Sequence, residues 1–178
     1  DVFFSMNFGK DEQYMRLHLR LPGWLRDEVI PGGQYGYEKT REFYQIHVNG
    51  KLSLVRAKNG YITIDRVWKN NDVVRMVMAT PIRRITRSDG LGKGKFALQY
   101  GPIVYGYCSD DANAFFRASD PIAPHYDKDV LHTNMLIAKI YNSRTPGDET
   151  PWNCNLYPYY ILPSLKGSVR SVWLNEAE

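Results

Sequence analysis

The chain is predicted to be all-β, built as two small antiparallel β-sandwich domains of jelly-roll or Ig-like type in tandem, over residues 1–82 and 83–178. Three observations lead there. Apolar and polar residues alternate with a period of two in short runs, as half-buried strands require. Turn dipeptides such as Asn49-Gly50 and Asn59-Gly60 separate those runs. No amphipathic stretch of helical period reaches conventional helix length, and short strands at such spacing read as sandwiches.

Taken in order, Met15, Leu17, Leu19 and Leu21 alternate with Arg16, His18 and Arg20 until Pro22-Gly23 ends the strand. His18 shares a face with the arginines, which makes it a sheet-surface residue. The pattern lapses from Leu25 to Arg41, a long loop centred on Pro31–Tyr37. Phe43–Val48 resumes a strand, and Asn49-Gly50 turns it back through Leu52 and Leu54. After Asn59-Gly60, Tyr61, Thr63 and Asp65 face opposite to Ile62 and Ile64. Val74, Met76 and Met78 form one face of the next strand, following the polar turn Lys69–Asp72. Past Pro81 the chain turns basic and Gly-rich to Gly94, which sets the boundary between two cores. Phe96–Tyr107 is a long extended run, and Gly101-Pro102 within it argues for an edge or a bulge. Residues 109–133 show little periodicity. Met135–Tyr141 reads as a strand or a short helix, and Asn142–Asn155 as a loop. Tyr157–Tyr160 and Val169–Leu174 are the closing strands.

At 178 residues the chain can bury one sizeable core or two small ones. Its 13 Tyr, 7 Phe and 4 Trp fit sheet packing and also fit sugar-facing surfaces. A formal charge of +4 is scattered among acids. Its densest part, Arg83, Arg84, Arg87, Lys93 and Lys95, reads as a solvated hairpin rather than a nucleic-acid footprint, so no nucleic-acid partner is expected. No run of 18 apolar residues exists, and no membrane partner is expected. The chain opens on Asp1-Val2-Phe3-Phe4, already strand-like, and reads as a piece of a longer polypeptide.

Candidate chemistry is thin. Cys108 and Cys154 either pair in an oxidising compartment or remain buried thiols. The histidines at 18, 47, 125 and 132 do not complete a zinc site with them. Glycoside hydrolysis needs two carboxyl groups across a scissile bond. The acidic neighbours Asp11-Glu12, Asp27-Glu28, Asp110-Asp111 and Asp148-Glu149 point apart in extended chain and read as solvated turns. Gly90–Lys95 looks like a phosphate loop but fails the pattern at Arg87 and Gly94. Arg66 and Trp68, one strand step apart, place a guanidinium over an indole. Trp24 reads as a core plug or an inter-domain anchor.

Six signatures then fall in one order: Leu19–Trp24, Val48–Gly50, Gly60-Tyr61 with Arg66, Trp68 and Asp72, Gly101–Tyr105, Pro158–Tyr160 and Val172-Trp173. The set resembles the C-terminal β-sandwich region of glycoside hydrolase family 127 and its relative family 146, the β-L-arabinofuranosidase type. Asn71 stands where that pattern has Gly, and Ile161–Ser164 replaces an Ala-Trp-Ala-Asn. The resemblance implies that reaction belongs to an N-terminal (α/α) barrel bearing a nucleophilic Cys, an acid/base Glu and zinc ligands. No catalytic, cofactor or metal residue is carried over to this chain. It is expected to be inactive alone, with its parent a glycoside hydrolase acting on L-arabinofuranosides or related plant glycans. Zinc is expected, if anywhere, in the barrel.

The remaining functional candidates are Tyr35 and Tyr37, two rings flanking Gly36 on the long loop, read as speculative sugar contacts at the rim of the parent's active site. Expected partners are the parent's own catalytic domain, carbohydrate, and a second copy through an exposed apolar face. Two rival readings stand: a stand-alone carbohydrate-binding module, and a structural or adhesive surface domain. The compartment is not fixed, with periplasmic or extracellular favoured for a parent that degrades glycans.

Overall fold

In the computed structural model, residues 1–26, 32–37, 44–141 and 150–177 are described. Among them the structure is strands joined by turns, with 3-10 turns at Gly23–Leu25 and Leu162–Ser164. The first strands are β1 (Val2–Ser5), β2 (Glu12–Arg20), β3 (Tyr35–Tyr37), β4 (Tyr44–Val48), β5 (Lys51–Ser53), β6 (Tyr61–Lys69), β7 (Val73–Met78) and β8 (Ile82–Arg87). They are followed by β9 (Lys95–Tyr100), β10 (Ile103–Ser109), β11 (Phe115–Arg117), β12 (Ala123–Asp127), β13 (Thr133–Ile140), β14 (Trp152–Pro158), β15 (Val169–Ser171) and β16 (Leu174–Ala177). The chain divides into two compact units, Asp1–Pro31 with Lys39–Thr80, and Gly32–Glu38 with Pro81–Glu178.

The first unit places the four-stranded sheet β1-β7-β4-β5 and the antiparallel pair β2-β6 around one core. Alternation decides which residues fill it. Leu19 and Leu21 come from β2 and its end, Ile62, Ile64 and Trp68 from β6, Ile46 and Val48 from β4, and Val74 and Met76 from β7. Both Asn-Gly turns are two-residue hairpin links with both residues at positive φ, Asn49 and Gly50 at 50° and 77°, Asn59 and Gly60 at 52° and 79°. That geometry matches the right-handed twist of the flanking strands. The outer face of β2-β6 is polar: Arg16 lies opposite Asp65 and His18 opposite Thr63, with His18 Nδ1 3.0 Å from Thr63 Oγ1. His18 is therefore a sheet-surface residue, as its alternation predicts.

The second unit is one curled sheet. Its path runs β11-β16-β9-β10-β14-β13-β12, with β8 also on β9, β3 on β8 and β15 on β10. A bridge between Phe115 and Tyr141 links the start of β11 to the residue after β13. Its core therefore lies inside one curled sheet, filled by Phe96, Leu98, Tyr105, Tyr107, Phe116, Leu136, Leu156 and Leu174. All its pairings are antiparallel except β11 with β16, which run parallel.

Several elements differ from the sequence expectation. Pro31–Tyr37 is not all loop, because Tyr35–Tyr37 forms β3 against Arg87–Ile85. Three residues are too few to show a period. The run Phe96–Tyr107 is a hairpin, β9 with β10, folded at Gly101-Pro102, where Gly101 takes φ 58°. Residues 109–133 hold β11 and β12; of the expected loop 142–155, residues 142–149 lie outside the described residues and β14 begins at Trp152. Tyr159-Tyr160 turns out of β14, and Val169–Leu174 is split between β15 and β16. Met135–Tyr141 is strand. Arg83 is not part of a solvated hairpin face, being 2% exposed and paired in register with buried Gln99.

Gly106 is required by close packing. A Cβ there would lie 2.5 Å from the Ser171 carbonyl oxygen and 2.7 Å from Leu162 Cδ1. Here β10 pairs with both β14 and β15, and only a bare Cα lets the backbones approach so closely.

Candidate functional site

Two of the ordered signatures, Val48–Gly50 and the run from Gly60 to Asp72, meet in the first unit at one carboxylate. Asp72, 7% exposed, accepts hydrogen bonds from Asn49 Nδ2 at 2.8 Å and from the Lys69 backbone N–H at 3.0 Å. Asn49 Oδ1 in turn accepts from the Val73 N–H at 2.8 Å. Arg66 Nη2 lies 3.7 Å from the same carboxylate, and its guanidinium sits 5.1 Å from the centre of the Trp68 ring. Trp68 is fully buried and donates from Nε1 to the Met15 carbonyl at 2.9 Å. The Asn of Val-Asn-Gly, the Arg-x-Trp pair and the Asp thus form one knot that ties the turn of the β4–β5 hairpin to the link between β6 and β7. The Lys69 N–H and then the Asn49 amide hold the Asp72 carboxyl below the usual carboxylate range, against the opposing effect of burial. Asn71, where the family pattern has Gly, takes φ 68°. Asn is the residue that best tolerates that conformation after Gly, which accounts for the exchange. These residues hold a fold together.

Carboxylates elsewhere do similar work. Asp110 accepts from Ser168 N–H and Oγ at 3.2 and 2.7 Å, and Asp111 accepts from the Asn113 N–H at 3.0 Å. Asp127 accepts from the N–H groups of Asp129 and Val130, which lower its pKa. Of the four acidic neighbour pairs, Asp27-Glu28 and Asp148-Glu149 lie outside the described residues.

The tyrosine strand belongs to the second unit. Tyr35 stacks on Trp173 with ring centres 6.1 Å apart and planes 18° from parallel. One face of the Tyr35 ring is thereby occupied. A shallow hollow of about 290 Å³ beside it is bounded by Gln34, Tyr35, Arg87 and Asp89. Tyr37 lines a separate cleft of about 520 Å³ with Arg84, Thr86, Ala118 and Glu176. That cleft shares Ala118 and Glu176 with a larger one of about 900 Å³, whose other walls are the Lys93-Gly94 turn and the end of β11 at Arg117 and Ser119. Arg84 is ion-paired with Glu176, and its guanidinium lies 3.8 Å from the Phe96 ring centre. Arg117 lies 4.5 Å from the ring centre of Tyr141, whose hydroxyl donates to Asp120 Oδ2 at 2.7 Å. Reading the sequence missed this cleft, because Tyr37, Arg84, Arg117 and Glu176 lie far apart in the chain and share no spacing. The one signal was the basic, Gly-rich stretch ending at Gly94.

Cys108 and Cys154 are free thiols that line one hollow together with Trp152, Tyr157, Leu165 and Lys166. Burial pushes Cys154 up to about 11 and raises Cys108, so both are protonated near neutrality. Among the described residues no three His, Cys, Asp or Glu side chains gather to hold a metal. Among them, too, no helix is long and apolar enough to cross a membrane.

The geometry can be set beside known proteins. Residues 3–80 match the family model described as "Beta-L-arabinofuranosidase, GH127 middle domain". No curated protein matches the chain. Among solved structures, a GH127 β-arabinofuranosidase, BT3674, is 25% identical with a TM-score of 0.78, and the match covers 93% of this chain and 28% of that one. Ara127N-Se, a GH127 β-L-arabinofuranosidase from Geobacillus stearothermophilus T6, is 25% identical with a TM-score of 0.73, covering 94% of this chain and 27% of that one. A third structure, a glycoside hydrolase 22% identical with a TM-score of 0.68, shares the fold. The chain spans little more than a quarter of the length of these proteins. Residues 3–80 thus match the GH127 middle-domain model, and the chain as a whole resembles a part of solved GH127 arabinofuranosidases.

Proposed function

We propose that this chain is the non-catalytic β-sandwich portion of a glycoside hydrolase acting on L-arabinofuranosides or related plant glycans. It supports an (α/α) barrel carried elsewhere in the same parent polypeptide, and any zinc belongs to that barrel. The observation that carries this reading is the middle-domain match over residues 3–80, with the fold likeness running over more than nine-tenths of the chain. The physical support is that Asn49, Arg66, Trp68 and Asp72, drawn from two of the signatures, meet in one knot whose hydrogen bonds hold backbone turns and strands together. Phe3, Leu52 and Leu54, exposed in the first unit, supply apolar surface for the parent's catalytic domain or, in its absence, for a second copy.

The test is hydrolysis of 4-nitrophenyl L-arabinofuranosides. The purified chain is expected to release nothing and the parent polypeptide to be active; arabinose released by the chain alone would overturn the reading. Tyr37 is the stronger of the two proposed sugar contacts, since Trp173 occupies one face of Tyr35. Tyr37→Ala in the parent is expected to raise KM while leaving kcat near its original value; an unchanged KM on every accepted glycoside removes Tyr37 from the site.

A further inference from the structure

The cleft between the Lys93-Gly94 turn and the end of β11 has a composition that no hairpin needs. Lys93 is exposed on one wall and Arg117 lies on the other, with the Ser119 hydroxyl beside it. Glu176 lies between this cleft and the one lined by Tyr37, and Arg84 is ion-paired to it. The described lining of the larger cleft thus carries Lys93 and Arg117 together with Glu176, whose carboxylate is already paired with Arg84 in the adjoining cleft. Arg117 packs against the Tyr141 ring, and Tyr141 is itself stacked on Phe115 at 5.3 Å and 12°. Such stacking limits the rotamers of a long side chain before any ligand arrives. Ser119 supplies a hydroxyl in this cleft, and Thr86 and Tyr37 supply hydroxyls in the adjoining one, which shares Ala118 and Glu176 with it.

We infer that this cleft binds an acidic saccharide, with a uronic acid carboxylate between Lys93 and Arg117 and the adjoining sugar towards Tyr37. A carboxylate suits the planar guanidinium and the ammonium, which give charge-assisted hydrogen bonds. A sugar ring suits the row of hydroxyls and the tyrosine beyond. The choice of a saccharide over other organic acids rests on the proposed role in a glycan-degrading enzyme, but the site is tested without any catalysis.

The experiment titrates the 178-residue chain with trigalacturonic acid, with its methyl ester and with inorganic phosphate, read by calorimetry and by amide chemical shifts. The acid is expected to bind, to shift amides of residues 93–95 and 117–119, and to weaken as salt is raised. The neutral ester is expected to bind about tenfold more weakly, as loss of one close charge pair commonly costs. Lys93→Glu, on an exposed turn, should abolish binding while thermal unfolding is unchanged. Arg117→Ala should weaken binding, and if that variant fails to fold, Lys93→Glu still decides. Equal binding of acid and ester, an unaffected Lys93→Glu, no binding at millimolar acid, or phosphate competing as strongly as the saccharide would each overturn the assignment. Failure here leaves the hydrolysis assays above untouched, and their failure leaves this binding result standing.

Discussion

Removal of the Asp72 carboxylate is the perturbation that bears most directly on the first unit. In Asp72→Ala, Asn49 Nδ2 and the Lys69 N–H lose their acceptor. Hydrogen bonds to a charged group are worth about 1.5–3 kcal/mol each. Asn49 and Lys69 are exposed enough for water to replace part of that. Arg66, at 3.7 Å and 40% exposed, adds about 0–1 kcal/mol. The expected loss is about 2–4 kcal/mol for Ala and roughly half of that for Asn, which keeps one oxygen. Because the folded carboxyl titrates below its unfolded value, its contribution is present above the unfolded value and lost as pH falls through the folded one. The gap between wild type and Asp72→Asn should therefore be widest near neutrality and shrink on acidification below about pH 4. Urea unfolding followed by tryptophan fluorescence reports both, since Trp68 is buried in the same unit. A gap below about 0.5 kcal/mol for Asp72→Ala at neutral pH, typical of an inert surface change, would refute the knot. So would a gap independent of pH.

Further outcomes follow from other contacts. Gly106→Ala, which drives a Cβ into the Ser171 carbonyl and Leu162, should cost about 2 kcal/mol or more in thermal unfolding, towards the upper range for overpacking. A variant as stable as wild type would mean that β10 and β15 are farther apart than described. Trp68→Phe keeps most of the buried area but leaves the Met15 carbonyl without its donor, an expected loss of about 1–3 kcal/mol by denaturant titration. Cys154, with its thiol pushed to about 11, should be alkylated far more slowly than free cysteine at pH 8 under native conditions and speed up only as the pH approaches that value. Rapid native labelling of Cys154 would contradict its burial.

The features legible in the amino-acid sequence are those that repeat locally. The alternation through Met15–Leu21 and the two Asn-Gly turns describe interactions between near neighbours, and the hairpins followed. The stacking of Arg66 on Trp68 was legible for the same reason, since a separation of two on one strand fixes a shared face. Hidden elements were those whose partners are remote. β3 is three residues long and exists because Arg87–Ile85 offers it an edge. β11 and β12 are ordered by β16 and β13, not by their own composition. Arg83 lay in a basic run that reads as solvated, yet the register of β8 on β9 turns it inward beside Gln99. The cleft is the extreme case, drawing its side chains from β3, β8, β11 and β16.

The excursion of residues 32–38 has a genetic consequence. The polypeptide starts the first module, lends a short strand to the second, and then returns to finish the first. No single breakpoint in the reading frame yields two whole modules. A recombination event placed after residue 80 would hand its recipient a second module shorn of the ribbon that borders β8, and would leave the donor with a dangling insert. Such a pair travels through gene shuffling as one cassette, although it packs as two compact units.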